Sequence, residues 1–263
     1  MPSTKAPGAP RDAAAFWLTL DAINFGSGWF PTLRKGPHGT GYRTIEAGVR
    51  RRFEEAGSWS AGALAELTPE ELAGLMDQDP EHELMTLFAE SLRDLGSNLA
   101  ASSGGSSTAL VDGAHGSAVN LVETLAGWQC FADVSVYEGL PVPFFKRAQI
   151  AAADLHRAGI GGFTDIASLT MFADNLVPHV LRLDGVLRFD DDLMRRIEAV
   201  ELIEHGSKEE VEIRACAVHA VELIVTAAST SVTAADLDAL LWNRGQQAAY
   251  KATPRHRSRT TAY

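Results

Sequence analysis

Apolar residues recur every three or four positions through almost the whole chain, and this helical rhythm is what most limits the folds open to it. Phe16, Trp17, Leu20 and Ile23 form the first stripe, ending near Gly26, and Ile45, Val49 and Phe53 form the next, with Arg50, Arg51 and Arg52 on its polar side. Leu84, Leu87, Phe88, Leu92 and Leu95 repeat at the same spacing, and residues 119–125 make another helix. Start signals agree. Thr68-Pro69-Glu70-Glu71 and Ser207-Lys208-Glu209-Glu210 read as capping boxes, Asp79-Pro80 as a helix start, and Thr233-Ala234-Ala235-Asp236 as the opening of the helix through Leu237, Leu240 and Leu241. Residues 96–116, rich in Ser and Gly, read as a surface loop. Residues 134–143 alternate around Gly139 between prolines, as a short hairpin or an extended connector would. The expectation is an all-α, compact multi-helix domain over residues 11–263 with at most one small β-hairpin, behind a Pro-rich disordered lead over residues 1–10.

Charge and composition narrow the function classes. No window reaches the roughly 18 uninterrupted apolar residues of a spanning helix, and no signal peptide is evident. Cys130 and Cys216 are too few for a disulfide framework and lack metal-ligand spacing, so a cytoplasmic, reduced protein is expected. The eight histidines are scattered, and no metal or organic cofactor is expected. Phosphate-cradling loops, the dinucleotide-binding glycine pattern and the Gly-x-Ser-x-Gly elbow are all missing. The net charge of −11 disfavours duplex nucleic acid, whose binders neutralise many phosphates. The basic cluster Lys251, Arg255, His256, Arg257 and Arg259 is sized for one phosphate, which points to a small anionic ligand.

Between Phe144 and Leu181, apolar segments that read as helical carry charge in unusual company. Phe144-Phe145-Lys146-Arg147-Ala148-Gln149-Ile150 sets two cations side by side. Neighbours on a helix point about 100° apart, so one should turn inward and the other to water, with a solvated pair the default. Asp174 lies among Met171, Phe172, Leu176 and Val177, where burial is costly without a partner. It is either a carboxylate tuned to act on an electron-poor carbon, or one that pairs with Arg182 or faces water. Asn24-Phe25-Gly26-Ser27-Gly28-Trp29-Phe30 is either a stacking surface for a base or a hydrophobic corner. The tail through Tyr263, dense in arginine, aromatic and hydroxyl groups, reads on its own as solvated and basic, with folding back onto the body the alternative.

Taken together, these blocks resemble the queuosine-salvage N-glycosylase family. The resemblance rests on Asn24-Phe25 with Trp29, Gly41-Tyr42, Val136-Tyr137-Glu138-Gly139 leading into the Lys146 block, and 168–174 ending in Met171-Phe172-Ala173-Asp174. It continues in 210–214, Leu241-Trp242-Asn243-Arg244-Gly245 and Pro254-Arg255-His256-Arg257, so it spans residues 12–263. It implies a fold similar to the helix-hairpin-helix DNA glycosylases, and hydrolysis of queuosine 5′-phosphate to queuine and ribose 5-phosphate, which supplies queuine for tRNA modification. It makes Asp174 the expected catalytic carboxylate. Asp238 and Asn243 become candidates to hydrogen-bond the base or its arm, and Phe25, Phe172 and Trp242 candidates to stack on it, beside Asn24. Lys146, Arg257 and Arg259 become candidates for the 5′-phosphate. Leu183-Asp184-Gly185-Val186 departs from the DNA-gripping turn of those glycosylases, since an aspartate there repels phosphate. The rival expectations are a DNA base-excision glycosylase and a non-catalytic helical module that binds queuine or a partner protein. The sequence carries no signal of oligomeric state.

Overall fold

The computed structural model describes residues 6–7, 12–36, 39–229 and 231–263, so most of the expected disordered lead lies outside the described residues. The first stripe becomes α1 (Ala13–Ala22), buried along most of its length. It is followed by α2 (Gly41–Ala56), α3 (Ala61–Ala65), α4 (Pro69–Met76), α5 (Glu83–Ser103), α6 (Ser107–Gly113) and α7 (Ala118–Ala126). A two-stranded antiparallel hairpin comes next, β1 (Val134–Tyr137) and β2 (Leu140–Pro143), with Val134 opposite Pro143. The chain then forms α8 (Lys146–Arg157), α9 (Val177–Leu183), α10 (Asp191–Glu198), α11 (Lys208–Ala227), α12 (Ala234–Gly245) and α13 (Ala248–Lys251). The fold is all-α with one small hairpin, and none of its described helices is long and apolar enough to cross a membrane.

Two apolar clusters dominate. The larger gathers Phe16, Leu20, Phe53, Phe88, Leu121 and Phe131 with the alanine face of α8. The smaller gathers Val177, Val180, Val211, Val221 and Leu241 from α9, α11 and α12. The non-helical stretch before α9 runs between them, sending Leu169 and Phe172 into the first and Met171 and Ala173 into the second. Asp174 therefore sits in a connector with a core on either side of it. It does not lie within a helix, as its spacing suggested.

Several local expectations change for identifiable reasons. Residues 96–116 are mostly helical, because Ser97, Ser102 and Ser103 return their hydroxyls to carbonyls one turn earlier. Gly96 is needed there for packing, since a Cβ would lie 2.5 Å from the Ala61 carbonyl oxygen of α3. Helix α5 starts after His82, whose Nδ1 accepts the Leu84 N–H, and not at Asp79-Pro80. The boxes at Thr68 and Thr233 are reciprocal, but at Ser207 the Glu210 carboxylate turns to the Gly206 N–H instead. Asp184, in the glycosylase-like turn, is held by Arg244 at 2.9 Å and by the Tyr250 hydroxyl at 2.6 Å.

The adjacent cations are both buried. Arg147 donates to the Ala22 carbonyl and lies over the rings of Phe25 and Phe131, while Lys146 Nζ donates to the Asn24 carbonyl at 2.8 Å. The tail also turns inward. Tyr263 O accepts the Gly26 N–H, Arg257 O accepts the Ile203 N–H, and His256 O accepts from the Asn175 amide. Gly28 runs against Ser258 so closely that no Cβ fits between them.

A buried hub ties these parts together. Arg214, on α11, is fully buried between the rings of Phe144 and Tyr263. Its Nε donates to the Ala173 carbonyl at 2.9 Å and its Nη2 to Asp133 Oδ2 at 2.7 Å. The same Asp133 oxygen accepts the backbone N–H of Lys146 at 2.9 Å, opening α8. Removing one member leaves a buried charge without its partner, so Arg214→Ala should cost about 3–5 kcal/mol of stability by urea denaturation. A loss under 1 kcal/mol would contradict the hub.

Two neutral histidines set the acid limit. His256 is buried with neither ring nitrogen partnered, and burial holds it down to about 3. His179 gives its Nε2 proton to the Tyr250 carbonyl and receives Arg182 at Nδ1, and burial lowers it to about 4. Both protonate more readily when unfolded, with a usual value of 6.5, so the unfolded state binds more protons and stability falls as pH drops from 6.5 towards 4. Urea midpoints across this range should decline, and the decline should be shallower in His256→Gln. An unchanged slope in that variant would rule out its share.

Candidate active site

The sequence builds a cavity of about 480 Å³ from the turn after α1, the start of α2, one stripe each of α8 and α12, the 172–176 connector and the tail. On α8 the stripe is Lys146, Ile150, Asp154 and Arg157, at helical spacing. On α12 it is Asp238, Ala239, Trp242, Asn243 and Gln246. Gly245 lets α12 approach α9, since a Cβ there would lie 2.8 Å from Leu176.

Asp174 lines this cavity, half-buried. Its Oδ1 accepts the N–H groups of Leu176 at 2.8 Å and Val177 at 2.9 Å, capping the entry to α9, where Pro178 supplies no donor. Its Oδ2 has no hydrogen-bond partner among the described residues. Arg182, the structural partner considered for it, bonds instead to the Pro254 carbonyl and His179.

Lys146 and Asp238 flank the carboxylate electrostatically. Burial pulls the Lys146 ammonium down to about 8, while Asp174 acts to raise it. Burial, and then the negative charge of Asp174, push the Asp238 carboxyl well above the usual carboxylate range. Asp238 Oδ1 accepts the Phe172 N–H at 3.1 Å, which ties α12 to the connector. The Asn243 amide nitrogen bonds back to the Ala239 carbonyl at 2.6 Å, leaving its oxygen available, and Trp242 meets Tyr42 edge-on at 5.8 Å.

Of the residues singled out from sequence, Asn24, Phe25, Lys146, Phe172, Asp174, Asp238, Trp242, Asn243 and Arg257 line the cavity. Phe25 is nonetheless almost wholly buried, with Arg147 over its face and Phe88 at its edge. Arg259 is not brought to the site. It is exposed, 3.5 Å from the Glu83 carboxylate and over Trp29. Arg255 lines the cavity in its place, beside Arg257. The Nε atoms of Arg255 and Arg257 are buried without partners, and burial lowers the pKa of both guanidiniums. The signal available for Arg255 was its place in the basic cluster between Lys251 and Arg259. Tyr263 and Asp154 also line the cavity, and nothing local in the sequence marked them. Among the described residues no group of three His, Cys, Asp or Glu could hold a metal ion.

Comparisons with known proteins agree on one relationship. Residues 4–263 match the family described as queuosine salvage protein. A Sphaerobacter thermophilus protein named queuosine 5′-phosphate N-glycosylase/hydrolase is 37% identical, over 96% of this chain and 82% of its own length. Proteins of the same name from Mus musculus and Bos taurus are 31% and 33% identical, covering 98% and 83% of this chain and 84% and 68% of their own lengths. Shared along nearly its whole length, this kinship makes the chain a member of the queuosine salvage protein family.

Proposed function

We propose that this protein is an N-glycosidase that hydrolyses queuosine 5′-phosphate to queuine and ribose 5-phosphate, with Asp174 as its catalytic carboxylate. The observation that carries the reading is a carboxylate with one oxygen pinned by two backbone N–H groups and the other without a partner among the described residues, in a charge-lined cavity. When the glycosidic C–N bond breaks, its electrons leave with the base and positive charge develops at the anomeric carbon. A carboxylate held in place beforehand stabilises that charge without reorganising, or adds to the carbon. Water supplies the hydroxyl that ends on the sugar and the proton that ends on the base.

The leaving base is a 7-deazapurine and lacks the ring nitrogen through which purines are commonly protonated. Contact must come through its pyrimidine side. Asp238, whose carboxyl is held above the usual carboxylate range by burial and by Asp174, is suited to hydrogen-bond the base there, and the free Asn243 oxygen is suited to accept a hydrogen bond from it. Phe172 and Trp242 supply apolar surface for the ring. Arg255, Arg257 and Lys146, which line the same cavity, supply cations for the 5′-phosphate. The net charge of −11 and the tethered Asp184 favour a free nucleotide over duplex DNA.

Incubation with queuosine 5′-phosphate should release queuine, detected by mass spectrometry, and a folded protein releasing none would defeat the reading. Asp174→Asn should keep substrate binding and lose at least about 100-fold in kcat. Arg255→Ala or Lys146→Ala should weaken the 5′-phosphate form by about 10- to 100-fold, the worth of a charge-assisted hydrogen bond, and the nucleoside far less. Equal losses on both would remove these residues from the phosphate site.

A further inference from the structure

One wall of the cavity is not used by this chemistry. Along α8, Asp154 lies eight residues beyond Lys146, a separation of about 12 Å at 1.5 Å per residue, so it faces the cavity two turns away from that lysine. Behind it, α1 packs against α8 and presents Asp21. The other carboxylates of this region have cations. Glu46 is bound by Arg43 at 2.8 Å and Arg50 at 3.2 Å, and Asp154 Oδ1 by Arg157 at 2.7 Å. Asp21 has no ion pair among the described residues. It is fully buried, its Oδ1 accepts a long 3.3 Å bond from the Asn24 amide, and its Oδ2 has no partner. The residues acting on it electrostatically are Asp154, Asn24, Lys146 and Arg157, and all four line the cavity. One turn earlier on α1, Trp17 also lines the cavity with its indole N–H buried and unpartnered. Two orphaned polar atoms on one helix face are expensive to bury, and that of Trp17 lies on a residue that lines the cavity, with the Asp21 carboxyl behind the wall.

We propose that this end of the cavity is a cation subsite, in which Asp154, backed by Asp21, receives the protonated amine on the arm of the base. The inference rests on the N-glycosidase reading, whose substrate carries such an amine. Asp154 Oδ2, unpartnered within the protein, takes the ammonium directly. Asp21, whose proton is held by burial in a low-dielectric wall, gives it up more readily once a cation sits in front of it, and the Trp17 N–H is left for a hydroxyl of the arm. Tyr42 borders the same region and offers a ring edge or face to the cation. Burial, and then the nearby Asp154 charge, raise the Asp21 carboxyl in the empty protein, as expected for a pair awaiting a positive ligand. The subsite selects a base with a cationic arm over a plain deazapurine.

The test compares two nucleotides that differ only in this charge, 7-aminomethyl- and 7-methyl-7-deazaguanosine 5′-phosphate. Wild-type protein should favour the cation at least tenfold in kcat/KM. In Asp154→Asn the ratio should fall to within about twofold of one. Asp21→Asn, which keeps the shape of the buried side chain, serves if the first variant does not fold, and should also lower the ratio. Wild-type protein without the preference, or variants that slow both nucleotides equally, would overturn the subsite. Calorimetric binding of free queuine separates this outcome from failure of the hydrolase reading, because it requires no turnover. Affinity at least tenfold weaker in the variant supports the subsite even in an inactive protein. Equal affinity, or no binding to either protein, overturns it.

Discussion

The guanidinium of Arg214 touches nearly everything that must stay in register for this cavity to exist. It holds the carbonyl just before Asp174, it holds the aspartate that starts α8 at Lys146, and its two faces are covered by Phe144 and Tyr263. A buried ion pair seldom adds much stability over a well-packed apolar alternative. Its value here is geometric. A connector between two apolar clusters has no helix of its own to fix it, and side-chain packing alone would leave its carbonyls unsatisfied. Hydrogen bonds from a rigid planar group set both position and direction.

The cavity has a polarity that suits a ligand charged oppositely at its two ends. Arg255 and Arg257 enter from the tail, and Asp154 with Asp21 behind it bounds the α8 wall. Asp174, Lys146 and Asp238 line the same cavity. Asp174 raises the proton affinity of both Lys146 and Asp238, and Lys146 lowers that of Asp238, so the three belong to one arrangement. A net acidic protein can therefore hold a phosphate, because the tail brings two unpaired guanidiniums into a sheltered space.

Much of this was legible in the sequence where the signal is local. Helical spacing located the main helices, Thr68 and Thr233 announced two of their starts, and an aspartate among Met171, Phe172 and Leu176 stood out before any coordinates. What escaped depends on partners far away in the chain. Lys146 and Arg147 are both inside because the carbonyls of Asn24 and Ala22 receive them, which no local rule about adjacent cations could reveal. The tail reads as solvated until Gly26, Asn175 and Ile203 are seen to bind its backbone. The serine-rich stretch reads as a loop because helix-breaking propensity is counted before side-chain back-bonding and close helix packing.

The bond between Gly26 and Tyr263 has a bearing on how the molecule is assembled. It joins positions near opposite limits of the sequence, as do the contact of Gly28 with Ser258 and the stacking of Tyr263 on Arg214. Contacts that close such long loops cost the most entropy and tend to form after the local helices. The helices and their apolar clusters can gather early, whereas the floor of the cavity completes only when the tail docks. Partial unfolding should then begin at the same seam, opening the reaction centre while most helices persist. The candidate site would then sit at the place that is organised last and released first.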